Sequence, residues 1–513
     1  MLVRKNLPHL SSSLCRRPAP RIRWPCCASS RFSSQSPFSR LSTALQLQKY
    51  SDEEIGAAFD RADANGNGLL EPSETETLAD VDYDDIRSLV AADTEVASGI
   101  AREDFVKAVG SHAERLDYRI YPIAGSLVLT GFSIGIFGPA TPLLIAQLGM
   151  TTAQTGVLTS CFGVAKLVGN IPFGVAADRY GRQPVIVFGC GCLSAGTLAV
   201  GAAASVSSYE LVLLGRALNG LGVSALITGA FVAAADVSTP RNRARSMAPI
   251  SMGFNFGNAF GPFAAGVLLS AVGLKYTFCG AGALLGLNTL SSLAIVRETK
   301  PAMIKSEQGF MQAYAAALQS WVPLLRSARL RQATLYQALF WGAFGGGFMT
   351  CLPVLLGSAK LGLSASALGM CYGGIAVTNV IAAQPLATLT DKLGKERAML
   401  GGLGLLGTSL AMLPLCHDFP TLSLALGGWA ISSTLLFPVP QAIAADHTSP
   451  EDRSNALAMV RTLGDVGLVA GGMMASLLGT TCSIETILMV VGGTCVCSSA
   501  GSVSRRLLQV SRT

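Results

Sequence analysis

Oxygen-bearing side chains alternate along Asp63-Ala-Asn65-Gly-Asn67-Gly68-Leu69-Leu70-Glu71-Pro72-Ser73-Glu74. Asp63, Asn65 and Asn67 occupy the first, third and fifth places of this stretch, and Glu74 closes it with a carboxylate at the twelfth. Gly68 permits a sharp turn, Leu69 offers its carbonyl, and Glu71 can hold a bridging water. A loop of this spacing suits a hard cation that takes several oxygens in flexible geometry, which is calcium. Leu70 is the apolar position of the loop. Ile55 and Phe59 give the entering helix an apolar face, and Pro72 suits the first turn of the exiting one.

A second kind of chemistry lies in charges embedded in apolar sequence. A charge inside a membrane span is costly and marks a functional position by default. Lys166 lies twelve residues before Asp178, about 18 Å along a helix and so near mid-membrane. Arg216 falls about two turns into its span. Arg461 and Asp465 are one turn apart and can pair along one helix face. Asn170, Asn219, Asn255, Asn258, Asn379 and Gln384 can line the same cavity or hold helices together. Three cations against one carboxylate favour an anionic or zwitterionic small organic solute. Asp465 is the one mid-membrane carboxylate, which makes it the candidate for carrying protons in exchange with that solute.

These residues need a membrane scaffold, and the composition provides one. The 513 residues are 50% hydrophobic and only 13% charged, about half the charge of a soluble domain. The net charge of +7 is too modest to indicate nucleic acid. The 13 cysteines are scattered through apolar runs, with no zinc spacing or disulfide framework. From Tyr121 onward, twelve spans of bilayer length are expected, at roughly 121–146, 154–177, 184–204, 209–233, 246–270, 276–296, 333–356, 366–389, 397–415, 421–444, 454–478 and 485–503. They group into two six-helix halves, 120–296 and 333–503, joined by a central loop at 297–332 and followed by a basic tail at 504–513. Arg and Lys crowd the loops of one face, whereas the opposite loops hold only Lys275 and Lys360. Both termini are therefore expected on the basic side.

The halves also repeat. Gly174-Val-Ala-Ala-Asp178-Arg179-Tyr-Gly181-Arg182 is echoed by Thr390-Asp391-Lys392-Leu-Gly394-Lys395-Glu-Arg397, each between two apolar spans. Ala235-Asp236 matches Ala445-Asp446, in a register that also pairs Asn255 with Asp465 and Gly261 with Gly471. The first hairpin resembles the signature loop between helices 2 and 3 of the major facilitator superfamily, and the second its echo between helices 8 and 9. Gly138-Pro139-Ala-Thr-Pro142, Arg216-Ala-Leu-Asn219-Gly220 and Gly253-Phe-Asn255-Phe-Gly257 through Gly266 resemble motifs of its drug/proton-antiporter branch. The resemblance covers about Tyr121 to Val503. It implies an all-α membrane protein of twelve helices acting as a secondary transporter, with Asp178, Arg179, Gly181, Arg182, Asp391, Gly394 and Lys395 controlling opening on the basic side. Asp178 is expected to cap a neighbouring helix or to pair with an arginine across the half-interface. One departure is that 121–151 holds no Asp or Glu, unlike cation exporters of the branch.

Residues 51–119 match the EF-hand, with Asp63–Glu74 as the intact calcium loop and Asp93–Asp104 as a degenerate partner that packs Ile100 against Leu70. Residues 1–50 hold no acid and many Arg and Ser, the composition of an organelle transit peptide. That composition points to an inner membrane, of mitochondrion before plastid. No phosphate-binding G-x-x-x-x-G-K-[ST] loop occurs, so no nucleotide partner is expected, and no nucleophile–base set points to an enzyme. The rival reading is a calcium-sensing receptor or scaffold that keeps a transporter fold without transport. The costly charges Lys166, Arg216 and Asp465 argue against it.

Overall fold

The computed structural model describes residues 56, 59–60, 63, 65–71, 100–113, 117–238, 242–299, 310–358, 361–449 and 452–510. The expected transit segment 1–50, Glu74 and most of the degenerate partner loop lie outside them. The chain divides into two compact units, Met1–Ala113 and Glu114–Thr513.

In the first unit, β1 (Leu69–Leu70) pairs antiparallel with β2 (Ile100–Ala101), with Leu70 opposite Ile100. Both side chains are fully buried, as are Phe59 and Phe105, whose rings lie 5.5 Å apart. α1 (Arg102–Ala113) follows at once. Its Arg102 Nε donates to Asp60 Oδ1 at 2.7 Å, which holds the Asp60 carboxyl below its usual range.

The second unit is a helical membrane bundle. α2 (Ile120–Gly135) and α3 (Phe137–Leu148) form one span, followed by α4 (Thr152–Tyr180), α5 (Arg182–Val206), α6 (Tyr209–Asp236) and α7 (Arg243–Ile295). α8 (Phe310–Leu324) leads into α9 (Ala328–Gly342), which continues through a π-helical stretch, Ala343–Cys351, into α10 (Leu352–Gly357). α11 (Ala365–Leu393), α12 (Lys395–Met412), α13 (Phe419–Leu436), α14 (Val439–Asp446), α15 (Arg453–Leu478) and α16 (Ile484–Val510) complete it. Among the described residues, eleven helical runs are long and apolar enough to cross a bilayer. The fifth, Arg245–Ile295, is 51 residues long and breaks at Gly273, where φ 79° and ψ 176° leave the helical region. Each arm exceeds the roughly 20 residues a bilayer needs.

Local sequence explains where helices begin. Thr151 starts α4 with a reciprocal cap: its Oγ1 accepts from Gln154 N, and Gln154 Oε1 accepts from Thr151 N. Ser208 caps α6 and Ser364 caps α11. The expected central loop is not entirely loop, because α8 crosses it. α8 sets Trp321 into a small core with Leu330, Ala444 and Met459 and leaves Met311 and Leu318 exposed. That one-sided burial is characteristic of a helix lying along a surface.

The two halves are built alike. Gly257 and Gly261 of α7 press onto the backbone of Val128 and Phe132 in α2, and Gly467 and Gly471 of α15 press onto Ala338 and Gly342 in α9. The second set lies one constant offset of 210 residues after the first. A side chain at any of these four glycines would collide with main chain, so the seams need glycine. The halves meet most closely at the end away from the basic loops, where Gly266 of α7 abuts Gly369 of α11 and Gly156 of α4 abuts Ser476 of α15. Thr350 Oγ1 also donates to Thr159 Oγ1 there at 2.9 Å. Towards the basic end α11 is largely uncovered: Val377, Val380, Ile381 and Leu389 are exposed.

Candidate functional site

α4 and α15 run past each other across the interface between halves. Small residues, Gly156, Ser160 and Gly163 against Gly472 and Val469, bring the two backbones close. One turn further on, that closeness puts Lys166 onto Asp465. Their side chains form an ion pair and hydrogen bond between the halves. Asn170 donates from Nδ2 to the other carboxylate oxygen of Asp465 at 2.8 Å. Ser224 of α6 donates to Asn170 Oδ1, also at 2.8 Å, and so fixes which way that amide faces. Asp465 is buried and Lys166 partly so. A buried pair of this kind is expensive to desolvate, and removing one partner typically costs about 3–5 kcal/mol.

The expected Arg461–Asp465 pair is not the one that forms. Among the described residues, the ion-pair partner of Asp465 is Lys166, while Arg461 lies with its guanidinium 5.0 Å from the Phe231 ring of α6. Arg461 has the face of Phe231 beside it, whereas Lys166 would otherwise be a mid-membrane ammonium with no acid. Arg216 is not at this centre either. It is buried between the rings of Phe137 and Phe162, at 4.2 and 4.5 Å, and its Nη1 has no hydrogen-bond partner among the described residues. Asn255 is exposed on α7, on the opposite side from the glycine seam, and is not drawn to Asp465. Asn219 sits among Thr197 and Ser133 as a link between helices, and Asn379 accepts from Ser433 and Thr434.

The residue types also drew no attention to an aromatic strip beside the pair. Trp341, Phe344 and Phe348 recur three and four residues apart, so they fall on one face where α9 passes into its π-helical stretch. Successive rings stand 5.2 and 5.1 Å apart. Trp429 stacks flat on Phe348 at 4.9 Å, and Tyr372 meets its edge at 5.2 Å. Lys166 Nζ lies 5.6 Å from the Trp341 ring centre. The signal was present in Trp341-Gly-Ala-Phe344-Gly-Gly-Gly-Phe348, where glycines on the other face let the helix back onto Leu468, Gly471 and Leu410.

At the basic end the two hairpins are related networks. Gly181 and Gly394 both take positive φ, 107° and 87°, and turn the chain between spans. Arg182 is buried, donates to both Asp236 oxygens at 2.6 and 3.3 Å and to Ala177 O at 2.8 Å, and reaches Asp178 Oδ1 at 3.2 Å. Lys395 pairs with Asp446 at 2.5 Å, the equivalent contact in the second half. Asp178 therefore pairs within its own half, one turn along its own chain. The helix cap is Glu298, which accepts from Arg182 N at 2.9 Å and Gln183 N at 3.1 Å at the start of α5. Arg179 lies against the Tyr180 ring, and Asp391 is exposed.

In the first unit, the Asp63 oxygens accept from Asn67 N at 3.2 Å and Gly68 N at 2.8 Å. Asn65 Oδ1 accepts from the same Asn67 N at 2.9 Å, and Asn67 Oδ1 from Leu69 N at 2.8 Å. Sharing one N–H brings a carboxylate and an amide oxygen together on the inside of the turn. Asn67 Nδ2 donates to Glu71 Oε1 at 3.2 Å. Among the described residues no three His, Cys, Asp or Glu side chains converge. The described loop oxygens come mainly from amides and main chain, with Asp63 and Glu71 as carboxylates, a donor set that fits calcium and no softer metal.

Two matched helical halves around a polar centre at mid-span define a multi-pass membrane transporter. The sequence profile of the Major Facilitator Superfamily matches residues 123–364 and 352–509, and the chain belongs to that family. It is a transporter of the drug or small-solute type and not an enzyme. It is 26% identical over 291 residues to the tetracycline resistance protein, class C, of Escherichia coli, which spans 55% of this chain and 69% of that protein. The multidrug resistance protein MdtG of Escherichia coli (strain SMS-3-5 / SECEC) is 23% identical over 399 residues, 75% of this chain and 94% of MdtG. The crystal structure of the human organic anion transporter MFSD10 (TETRAN) superposes with a TM-score of 0.57 at 18% identity, over 74% of this chain and 97% of that one, a likeness of fold.

Proposed function

We propose that this chain is a proton-coupled secondary transporter of an anionic or zwitterionic organic solute, regulated by calcium at Asp63–Glu74. The observation that carries this reading is the Lys166–Asp465 pair, completed by Asn170 and lying between the two halves. While Asp465 is ionised, it ties α15 to α4. A proton on Asp465 removes the charge from that tie, so the halves can part there and Lys166 becomes available to an anion. Among the described residues, Lys166 and Asn170 of α4 bond to Asp465 and Arg461 lies one turn away on its own helix, with Gln337 and Trp341 of α9 packed against the neighbouring Gly464. Twelve crossings, with the two arms of α7 counted separately, return the last span to the side of the first. Both termini then lie on the basic side, the matrix or stroma in the organelle reading. Calcium binding draws support from the alternate oxygens of the loop and from the Leu70–Ile100 pairing behind it.

The test is Asp465→Asn in proteoliposomes. The variant should lose accumulation driven by a pH gradient yet keep solute exchange at equal pH. A variant that still concentrates solute against its gradient removes Asp465 from coupling. If the variant misfolds and Lys166→Leu with Asp465→Leu together restores folding, the pair is structural.

A further inference from the structure

We infer that the transported solute is an organic anion with a flat aromatic group. Its carboxylate takes the place of Asp465 on Lys166 and Asn170, and its ring lies against the Trp341–Phe344 face. This rests on the transporter reading above and narrows its substrate class. Asp465 already shows which ligand the site accepts: a carboxylate with one oxygen on an ammonium and the other on an amide N–H. A solute carboxylate finds the same two donors once Asp465 is neutral, with no further donor needed. An amine would find instead a carboxylate that is already satisfied, beside Lys166 and with Arg461 one turn away.

The wall next to these donors is made of rings. Trp341, Phe344 and Phe348 are each only partly buried, whereas Trp429 behind Phe348 is buried. Gly464, next to Asp465 in the chain, has no side chain to intervene, and a Cβ there would stand 2.7 Å from the indole of Trp341. Lys166, the ion-pair partner of Asp465, lies within cation–π reach of the same ring, with its Nζ 5.6 Å from the ring centre. A carboxylate bound at Lys166 places the group attached to it against Trp341. Ring faces favour flat partners at offset or edge geometry over flexible alkyl chains. One ion pair and one ring strip thus read the two ends of a single small molecule.

The test uses the purified full-length chain and four probes: 2-naphthylacetate, its amide, 2-(2-naphthyl)ethylamine and octanoate. Binding is read by thermal shift and by tryptophan fluorescence, and movement by counterflow in proteoliposomes. Naphthylacetate should bind about tenfold more tightly than each of the other three. Lys166→Gln should erase its advantage over the amide, and Trp341→Leu its advantage over octanoate. If Lys166→Gln does not fold, Lys166→Gln/Asp465→Asn keeps a hydrogen-bonded neutral pair and serves instead. Equal binding of octanoate overturns the aromatic half of the inference. Equal binding of the amide or the amine overturns the anionic half, and so does failure to bind any probe. Counterflow of octanoate equal to that of naphthylacetate would leave the reading as an anion transporter standing and this inference refuted, whereas counterflow of the amine alone would refute both. Tight binding of naphthylacetate with no counterflow would overturn the claim that such an anion is the transported solute.

Discussion

At the scale of single residues, what matters is which groups are left with only one possible partner. Arg216 is held by two ring faces rather than by an acid. A planar guanidinium stacks between rings and a compact ammonium does not, so Arg216→Lys should lower transport by at least about tenfold and lower the melting point. Fluorescence-detected melting beside an uptake assay checks both, and wild-type behaviour would show that only charge is needed there. In the loop proposed to bind calcium, Glu74→Gln removes the carboxylate expected to bind through both oxygens and should weaken calcium strongly. Calorimetry on the purified chain should find one site in the parent, and either two equal sites or survival of the substitution counts against the loop as drawn. Glu298→Gln halves the charge-assisted cap on α5, a loss of about 1 kcal/mol that a shifted melting curve should show.

At the scale of elements, helix identity came from hydrophobic run length, and helix spacing from glycine. The α2–α7 and α9–α15 seams repeat at one offset because each half solves the same packing problem with the same small residues. Gly471→Val drives a side chain into the Gly342 main chain. It should cost about 1–3 kcal/mol, the usual range for overpacking, seen as lower monodispersity and an earlier melt. An unchanged melt would mean that the seam can spread without loss. The break in α7 at Gly273 and the helix α8 within the central linker follow from local properties: a positive φ open to glycine, and an apolar face in an otherwise polar stretch. The π-helical turn at Ala343–Cys351 has no such local signature. It depends on Gly345 and Gly346 being pressed onto Leu468 and Gly471 of α15, a partner more than a hundred residues away.

At the scale of the whole bundle, the halves are closed at one end and pinned at mid-depth. Thr159 and Thr350 face each other across the closed end. Cysteines at both positions, in a background without other cysteines, should be joined by a short bis-methanethiosulfonate, which forms a disulfide with each thiol and releases sulfinate, and should then stop transport, with reductant cleaving the disulfides and restoring it. Full transport in the crosslinked state would mean that this end never opens. The same scale separates the two cross-half interfaces. α4 meets α15 through opposite charges, while the repeat-related positions on α7 and α11 are the neutral Asn255 and Asn379.

The sequence by itself determined the class of protein, the two repeated halves, the span boundaries to within a few residues and the alternate oxygens of the loop at Asp63–Glu74. These are properties of composition and of spacing along one chain, and short-range rules read them directly. It also marked Lys166, Arg216, Arg461 and Asp465 as the charges to explain, because a charge in an apolar run is visible without any fold. Which of them touch was beyond its reach. Spacing favoured Arg461–Asp465, one turn apart, yet the tertiary structure joined Asp465 to Lys166, 299 residues away. It sent Arg461 to Phe231, isolated Arg216 between rings and left Asn255 exposed. Partner choice inside a membrane is decided by which helices glycine and serine allow to approach and by how far a side chain can reach once they have. Both are set only when the two halves pack.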